Sequence, residues 1–178
     1  MSVWNSRGLR GSGLEEAINF TNEKYLQEHL ALVQKIPIPI TPIEIDKASY
    51  HITLAYFEKK STVDYIGVVQ GVPICFDAKE CHLDRFTLRN IHEHQMEFMK
   101  HFEEQDGIAF FLIYFTHVDE HYYVPYRDVA RFWERGQKKG GKQSFLRQEL
   151  DPAYRIDVTN QIYIHYLEPL SIDLESRE

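Results

Sequence analysis

STVDYIGVVQGVPICFDAKE, residues Ser61–Glu80, places two β-rich runs on either side of Gln70-Gly71. A two-residue loop ending in glycine supplies the positive φ that a tight hairpin turn requires. Counting outward from that turn puts Asp64 opposite Asp77 and Thr62 opposite Lys79. Alternation along each strand collects all four on one face of the hairpin. Directly opposed residues hold their Cβ atoms about 5 Å apart, and opposed like charges cost up to roughly 1 kcal/mol against a neutral pair. A divalent cation reverses that cost, so the hairpin reads as a metal site. A structural hairpin carrying one unfavourable pair is the competing reading.

The 178 residues suffice for one domain with a substantial core. Composition is globular, at 43% hydrophobic and 13% aromatic. There is no run of eighteen apolar residues, and the first residues lack the apolar stretch of a signal peptide, so the expected location is the cytoplasm, with no membrane partner. Cys75 and Cys81 fit neither a disulfide framework nor a zinc spacing. The nine histidines are scattered, apart from His92 and His94, which diverge if both lie on a helix. The formal net charge of −7 argues against a protein that coats nucleic acid non-specifically, yet it allows a local basic surface.

Residues 1–11, with Arg7 and Arg10, read as a flexible N-terminal arm, 12–172 as a single domain and 173–178 as an acidic, frayed tail. Ser12 and Glu15 form a capping box that starts a helix reaching about Gln27. Glu15 and Glu16 suit the helix dipole there, and Glu15 as a further carboxylate near the metal is the functional alternative. Leu30–Ile36 reads as a buried strand. From about Pro39 to Phe57 the prolines and mixed faces predict a projecting antiparallel excursion. Phe86–Arg89 reads as a loop, and Asn90 with Glu93 as the capped start of a second helix. Ile91, Gln95, Phe98 and Phe102 form its inward stripe. Gln95 is the odd member, because a buried amide must be hydrogen-bonded or ligate something. Gly107–Thr116 predicts a central strand, paired with Tyr122–Val124 and followed by a helix from Pro125 to about Trp133. Arg127, Arg131, Arg135, Lys138, Lys139, Lys142 and Arg147 face only three acidic residues in that region. A solvated helix end and a phosphate-contacting surface compete to explain it. Tyr154–Leu170, rich in aromatics, closes the fold.

An Asp, a spacer and then Asp-x-Lys on the neighbouring strand is the nuclease pattern PD-(D/E)xK. Mg2+ takes hard oxygen ligands, a few from protein and the rest from water and phosphate. Asp64 and Asp77 supply carboxylates, while Thr62 and Gln95 can add neutral oxygens. Lys79 can orient or deprotonate the attacking water and offset charge building on phosphorus.

Arg7-Gly8, Leu14-Glu15-Glu16, Ala55-Tyr56-Phe57, Ser61-Thr62-x-Asp64-Tyr65-x-Gly67-Val68, Ala78-Lys79-Glu80, His92-Glu93-His94-Gln95, Gln105-Asp106-Gly107, Phe132-Trp133 and Arg155-Ile156-Asp157 occur in this order along the chain. In these the sequence resembles the RecU family of Holliday junction resolvases of Gram-positive bacteria. The resemblance implies an α/β restriction-endonuclease-like fold, a mixed central sheet flanked by helices with a projecting β stalk over about 39–57. It implies Mg2+, or Mn2+ in its place, at Thr62, Asp64, Asp77 and Gln95, with Lys79 stabilising the transition state. It also implies a homodimer that nicks opposing strands of four-way junction DNA in recombination and repair, alongside recombinase or branch-migration proteins. Lys47 lies near the basic residue of the family's stalk. Arg7, Arg10, Arg135, Lys138, Lys139 and Lys142 are the other candidate DNA contacts. Relatives carry Glu where this chain has Asp77, and some carry a longer basic N-terminal extension. Less phosphate-neutralising charge implies weaker, more salt-sensitive junction binding or help from a partner. A nuclease for other branched or duplex DNA, and a catalytically weak junction-binding module, are the alternatives.

Overall fold

The computed structural model describes residues 13–57, 62–158 and 164–177. Six strands form a mixed sheet in the order β1 (Ala31–Lys35), β4 (Tyr65–Val69), β5 (Val72–Cys81), β7 (Ile108–Phe115), β8 (Glu120–Pro125) and β10 (Arg155–Ile156). Helices α1 (Gly13–Gln27) and α4 (Leu167–Glu175) pack on one face, α2 (Glu93–Glu103) and α3 (Tyr126–Gln137) on the other. Alternation along β7 serves both layers. Ile108, Phe110 and Leu112 enter the α1 side, and Ala109, Phe111, Ile113 and Phe115 the α2 side.

The hairpin register is the one counted from the turn. Tyr65 pairs with Phe76 and Val69 with Val72. Gln70 and Gly71 both have positive φ, 50° and 91°, as a type I′ turn requires. On its other edge β5 runs parallel to β7, so that Asp77 lies beside Phe111 and Lys79 beside Ile113. β2 (Ile40–Ile45) and β3 (Ile52–Phe57) pair with each other in a separate ribbon that exposes Ile43, Ile45, Tyr56 and Phe57. This is the excursion expected from the prolines.

Several local expectations need correction. β1 is a sheet edge and buries Ala31 alone of its five residues, so Leu30–Ile36 is not a buried strand. The segment read as a loop over 86–89 contains part of β6 (Arg85–Thr87), which pairs with β9 (Ser144–Leu146) and is followed by a 3-10 turn over Leu88–Asn90. α2 therefore begins at Glu93 with His92 as its N-cap, not at Asn90. Ile91 is buried ahead of the helix, Met96 and Met99 fill its inner face, and Phe98 and Phe102 are half-buried. α3 runs on to Gln137, and Pro125 is its N-cap residue, one place before the helix.

The tail is the largest correction. α4 continues through Glu175, and Asp173 is completely buried. Asp173 accepts hydrogen bonds from the Tyr123 hydroxyl at 2.7 Å and from Arg177 at 3.0 Å, and pairs with Arg127 at 2.8 Å. Arg177 also grips both carboxylate oxygens of Glu103 on α2. An acidic end that reads as solvated thus supplies the anion of a buried network. Removing one partner of such a network costs about 3–5 kcal/mol, because the others stay buried without it. Asp173→Ala should lower the melting temperature by about 10 °C in a chain of this size, whereas replacing exposed Glu175 by Ala should move it little. Differential scanning calorimetry of the two variants checks this.

Candidate active site

Asp77 projects from the middle of β5 onto the α2 side of the sheet, between Cys75 and Cys81 of that core cluster, and is fully buried. Gln95 of α2 donates from Nε2 to Asp77 Oδ1 at 2.8 Å. The Lys79 ammonium lies against Asp77 Oδ2 as an ion pair, and the Asp64 carboxylate stands beside the same group. Asp64 stands one residue before β4. The ladder's next hydrogen-bonded pair would be Val63 with Ala78, but Asp64 Oδ2 takes the Ala78 N–H instead, at 2.9 Å. A carboxylate thus replaces a backbone acceptor where β4 leaves the sheet, and stays beside Asp77.

Burial pushes the Asp77 carboxyl up to about 7; Lys79 opposes that rise and the charge of Asp64 adds to it. These residues fit a hard divalent ion. Two carboxylates meet around a buried oxygen, Asp77 Oδ2, that already draws one cation, Lys79, and the nearby neutral groups can offer oxygen. Among the described residues no three His, Cys, Asp or Glu side chains converge as a metal cage.

Two expected ligands are not yet disposed for the task. Gln95 Oε1 accepts the His92 N–H at 3.0 Å, so the amide turns its nitrogen to Asp77. Acting as an oxygen ligand requires the amide to turn over and release the helix cap. Thr62 is half-buried and lies beyond the last paired residues, Tyr65 and Phe76, so it is not a ladder partner of Lys79. Glu15 pairs with Lys35 at 2.6 Å, and α1, which carries it, packs on the opposite face of the sheet from Asp77. His92 and His94 do not diverge. Their rings stack at 5.3 Å because His92 is the cap rather than a helical residue.

Sequence reading missed Glu80. Its Oε1 accepts the Leu14 N–H at 3.1 Å, tying the start of α1 to β5. Strict alternation was the available signal, since it sends Glu80 to the face opposite Lys79.

The basic stretch divides. Arg127 pairs with Asp173, Arg131 with Asp128, Arg135 with Glu149 and Arg147 with Glu120. Arg135 also donates to the Ser144 carbonyl and lies over the Phe132 ring, which makes it a structural cation in this arrangement. Lys138, Lys139 and Lys142 are exposed, as is Lys47 at the tip of the β2–β3 ribbon. Arg7 and Arg10 lie outside the described residues.

The family model for Recombination protein U matches residues 9–172. A Holliday junction resolvase RecU of Leuconostoc citreum is 42% identical over 166 residues, covering 90% of this chain and 80% of that one. The same-named protein of Leuconostoc mesenteroides is 40% identical over 95% of this chain and 84% of its own. That of Bacillus mycoides is 40% identical over 80% of this chain and 72% of its own.

Asp77 makes the site a determinant of stability. Its folded pKa lies above the ordinary carboxylate value, so the folded chain holds a proton between about pH 4 and 7 that the unfolded chain releases. The associated stability is present below that window and is lost as pH rises through it. In EDTA, the urea midpoint of the parent should therefore fall across pH 4 to 7 relative to Asp77→Asn. Adding Mg2+ at pH 8 should raise the parent's midpoint and leave that of Asp77→Asn almost unmoved.

Proposed function

The chain belongs to the Recombination protein U (RecU) family, and on that premise we propose that it is a Mg2+-dependent endonuclease that resolves Holliday junctions by paired, symmetric nicks. The observation that carries this reading is the meeting of Asp64, Asp77, Lys79 and Gln95 on one face of β5. The relatives described above are named Holliday junction resolvases, which suggests the substrate class.

Asp64 and Asp77 would hold the ion, with Thr62 and a turned Gln95 amide as neutral ligands and Mn2+ as an acceptable substitute. When bound, the ion lowers the pKa of a water and polarises the phosphoryl oxygen. The protein's own groups do the rest. Asp77 must give up its proton to accept the ion, and Lys79, within ion-pair reach, favours that deprotonated form. Lys79 would orient the attacking water and offset charge building on the phosphorus oxygens. In-line attack forms the new P–O bond and breaks the bridging one, leaving a nick that can be ligated.

Two equivalent cuts require two equivalent sites related by a two-fold axis, so the active species is a homodimer. The β2–β3 ribbon, carrying Lys47, would enter the junction centre. The setting is recombination and repair in the cytoplasm, with recombinase or branch-migration proteins as partners. Among the described residues no helix is long and apolar enough to cross a membrane.

Cleavage of a labelled four-way junction with Mg2+, Mn2+ or EDTA tests the reading, with both nick positions mapped. Lys79→Ala should lower the rate about 10²–10³-fold, and Asp64→Ala should lower it at least as much. Unchanged resolution by both variants overturns the enzymatic assignment. Equal rates on a linear duplex overturn the junction specificity.

A further inference from the structure

A pocket of about 200 Å³ lies between the turn preceding α2 and the end of α3, lined by Leu88, Arg89, Ile91, Trp133, Gly136 and Gln143. We infer that it binds one unstacked nucleobase of the strand being cut, a reading that rests on the nuclease function proposed above. The pocket is too small for a drug-sized ligand, which needs about 300 Å³ or more, and its size suits a single flat ring system.

Its position favours a base of the substrate strand. Leu88 and Ile91 belong to the same core cluster as Cys75 and Cys81, so the pocket lies on the carboxylate side of the sheet. Ile91 is four residues from Gln95, which binds Asp77. Four residues of chain span at most about 14 Å, roughly four nucleotides at about 3.4 Å each along a strand. A strand whose phosphate lies at the Gln95–Asp77 pair therefore has bases within range of the pocket wall at Ile91, which Trp133 shares.

Its chemistry favours a base as well. Trp133 is half-buried and offers an aromatic surface for stacking, which tolerates any base. Gln143, exposed at the rim, carries an amide able to donate to and accept from a base edge. Arg89, exposed in the lining, matches the charge of a flanking phosphate, and the exposed Lys142 adjoins the wall through its backbone beside Gly136. The neighbouring recess that shares Trp133 has three carboxylates, Glu93, Glu97 and Glu134, against Lys100 and His101 in its wall and is the less favourable of the two for the same strand. The Gly136 backbone also forms part of the wall, and a Cβ there would meet the Lys142 carbonyl at 3.3 Å and Leu88 Cδ1 at 3.4 Å. A branch point supplies bases that have lost a stacking partner, and these are the cheapest to extrude.

An abasic scan through a four-way junction tests this with the full-length chain. Single abasic sites are placed at each of the six nucleotides on either side of the mapped nick, and binding is measured in EDTA and cleavage in Mg2+. The parent should show one position where base removal weakens junction binding about tenfold. Trp133→Leu, which keeps an apolar contact with the core, and Gln143→Ala, at the exposed rim, should weaken binding of the intact junction and show no further loss with the abasic site at that position. A flat scan with a parent that cuts the intact junction overturns the pocket and leaves the function standing. A position-specific loss that persists undiminished in both variants also overturns it. A parent that cuts no junction overturns the function itself.

Discussion

The site depends on a single register, that of β4 against β5. Side chains alternate, so a one-residue slip would carry Asp77 and Lys79 to the face where α1 packs, and bring Ala78 and Glu80 to the face of Gln95. Three features pin the register. The turn holds both Gln70 and Gly71 at positive φ. Gly67 lets β1 cross closely, since a Cβ there would lie 2.3 Å from the Leu32 carbonyl oxygen. Pro73 precedes the first residue of β5 that meets β7, Ile74, so its missing N–H costs the sheet nothing on that edge.

That register gathers like charges, and the surroundings show how they are tolerated. Burying a carboxylate strongly favours its neutral form, and a second carboxylate adds to the effect. Asp77 experiences both, which is why its carboxyl titrates near neutrality. Lys79 and the Gln95 amide offset part of the cost, and the Ala78 N–H holds Asp64 in place. A buried ion pair contributes little net stability compared with apolar packing. The arrangement is therefore not explained by what it adds to folding, and Asp77 is poised so that small changes in local charge decide its protonation.

Legibility in the sequence followed the range of the interactions. The hairpin, the β2–β3 excursion and the central strand β7 are set by local turn chemistry and alternation, and all three were readable. Gln95 stood out because it broke an apolar stripe, although the helix carrying it starts later than Asn90 suggests. That shift came from a long-range pairing, β6 with β9, which spacing cannot reveal. The burial of Asp173 was hidden for the same reason, because its partners Tyr123 and Arg127 lie on β8 and α3. Glu80 looked like one more surface acid after Lys79, and only the packing of α1 against β5 gives it a task.

The basic stretch carries the more general lesson about reading charge. Seven cations in one region suggest a phosphate surface, yet each of its four arginines is tied to an acidic partner within the fold. Arginine's planar, forked donor set makes it the natural choice for fixed internal pairs, while the strongly hydrated lysine ammonium stays at the surface. In that stretch the cations left for DNA are the lysines Lys138, Lys139 and Lys142, on a chain of net charge −7. Each phosphate neutralised on duplex DNA contributes about 0.9 to the slope of log affinity against log salt. Few such contacts therefore mean weaker binding but a shallower salt dependence, which reverses the steeper dependence expected from composition. On the proposed function, selectivity for a branched substrate would then come from shape and from groups other than phosphate, for which the β2–β3 ribbon and the pocket beside Trp133 are the candidates.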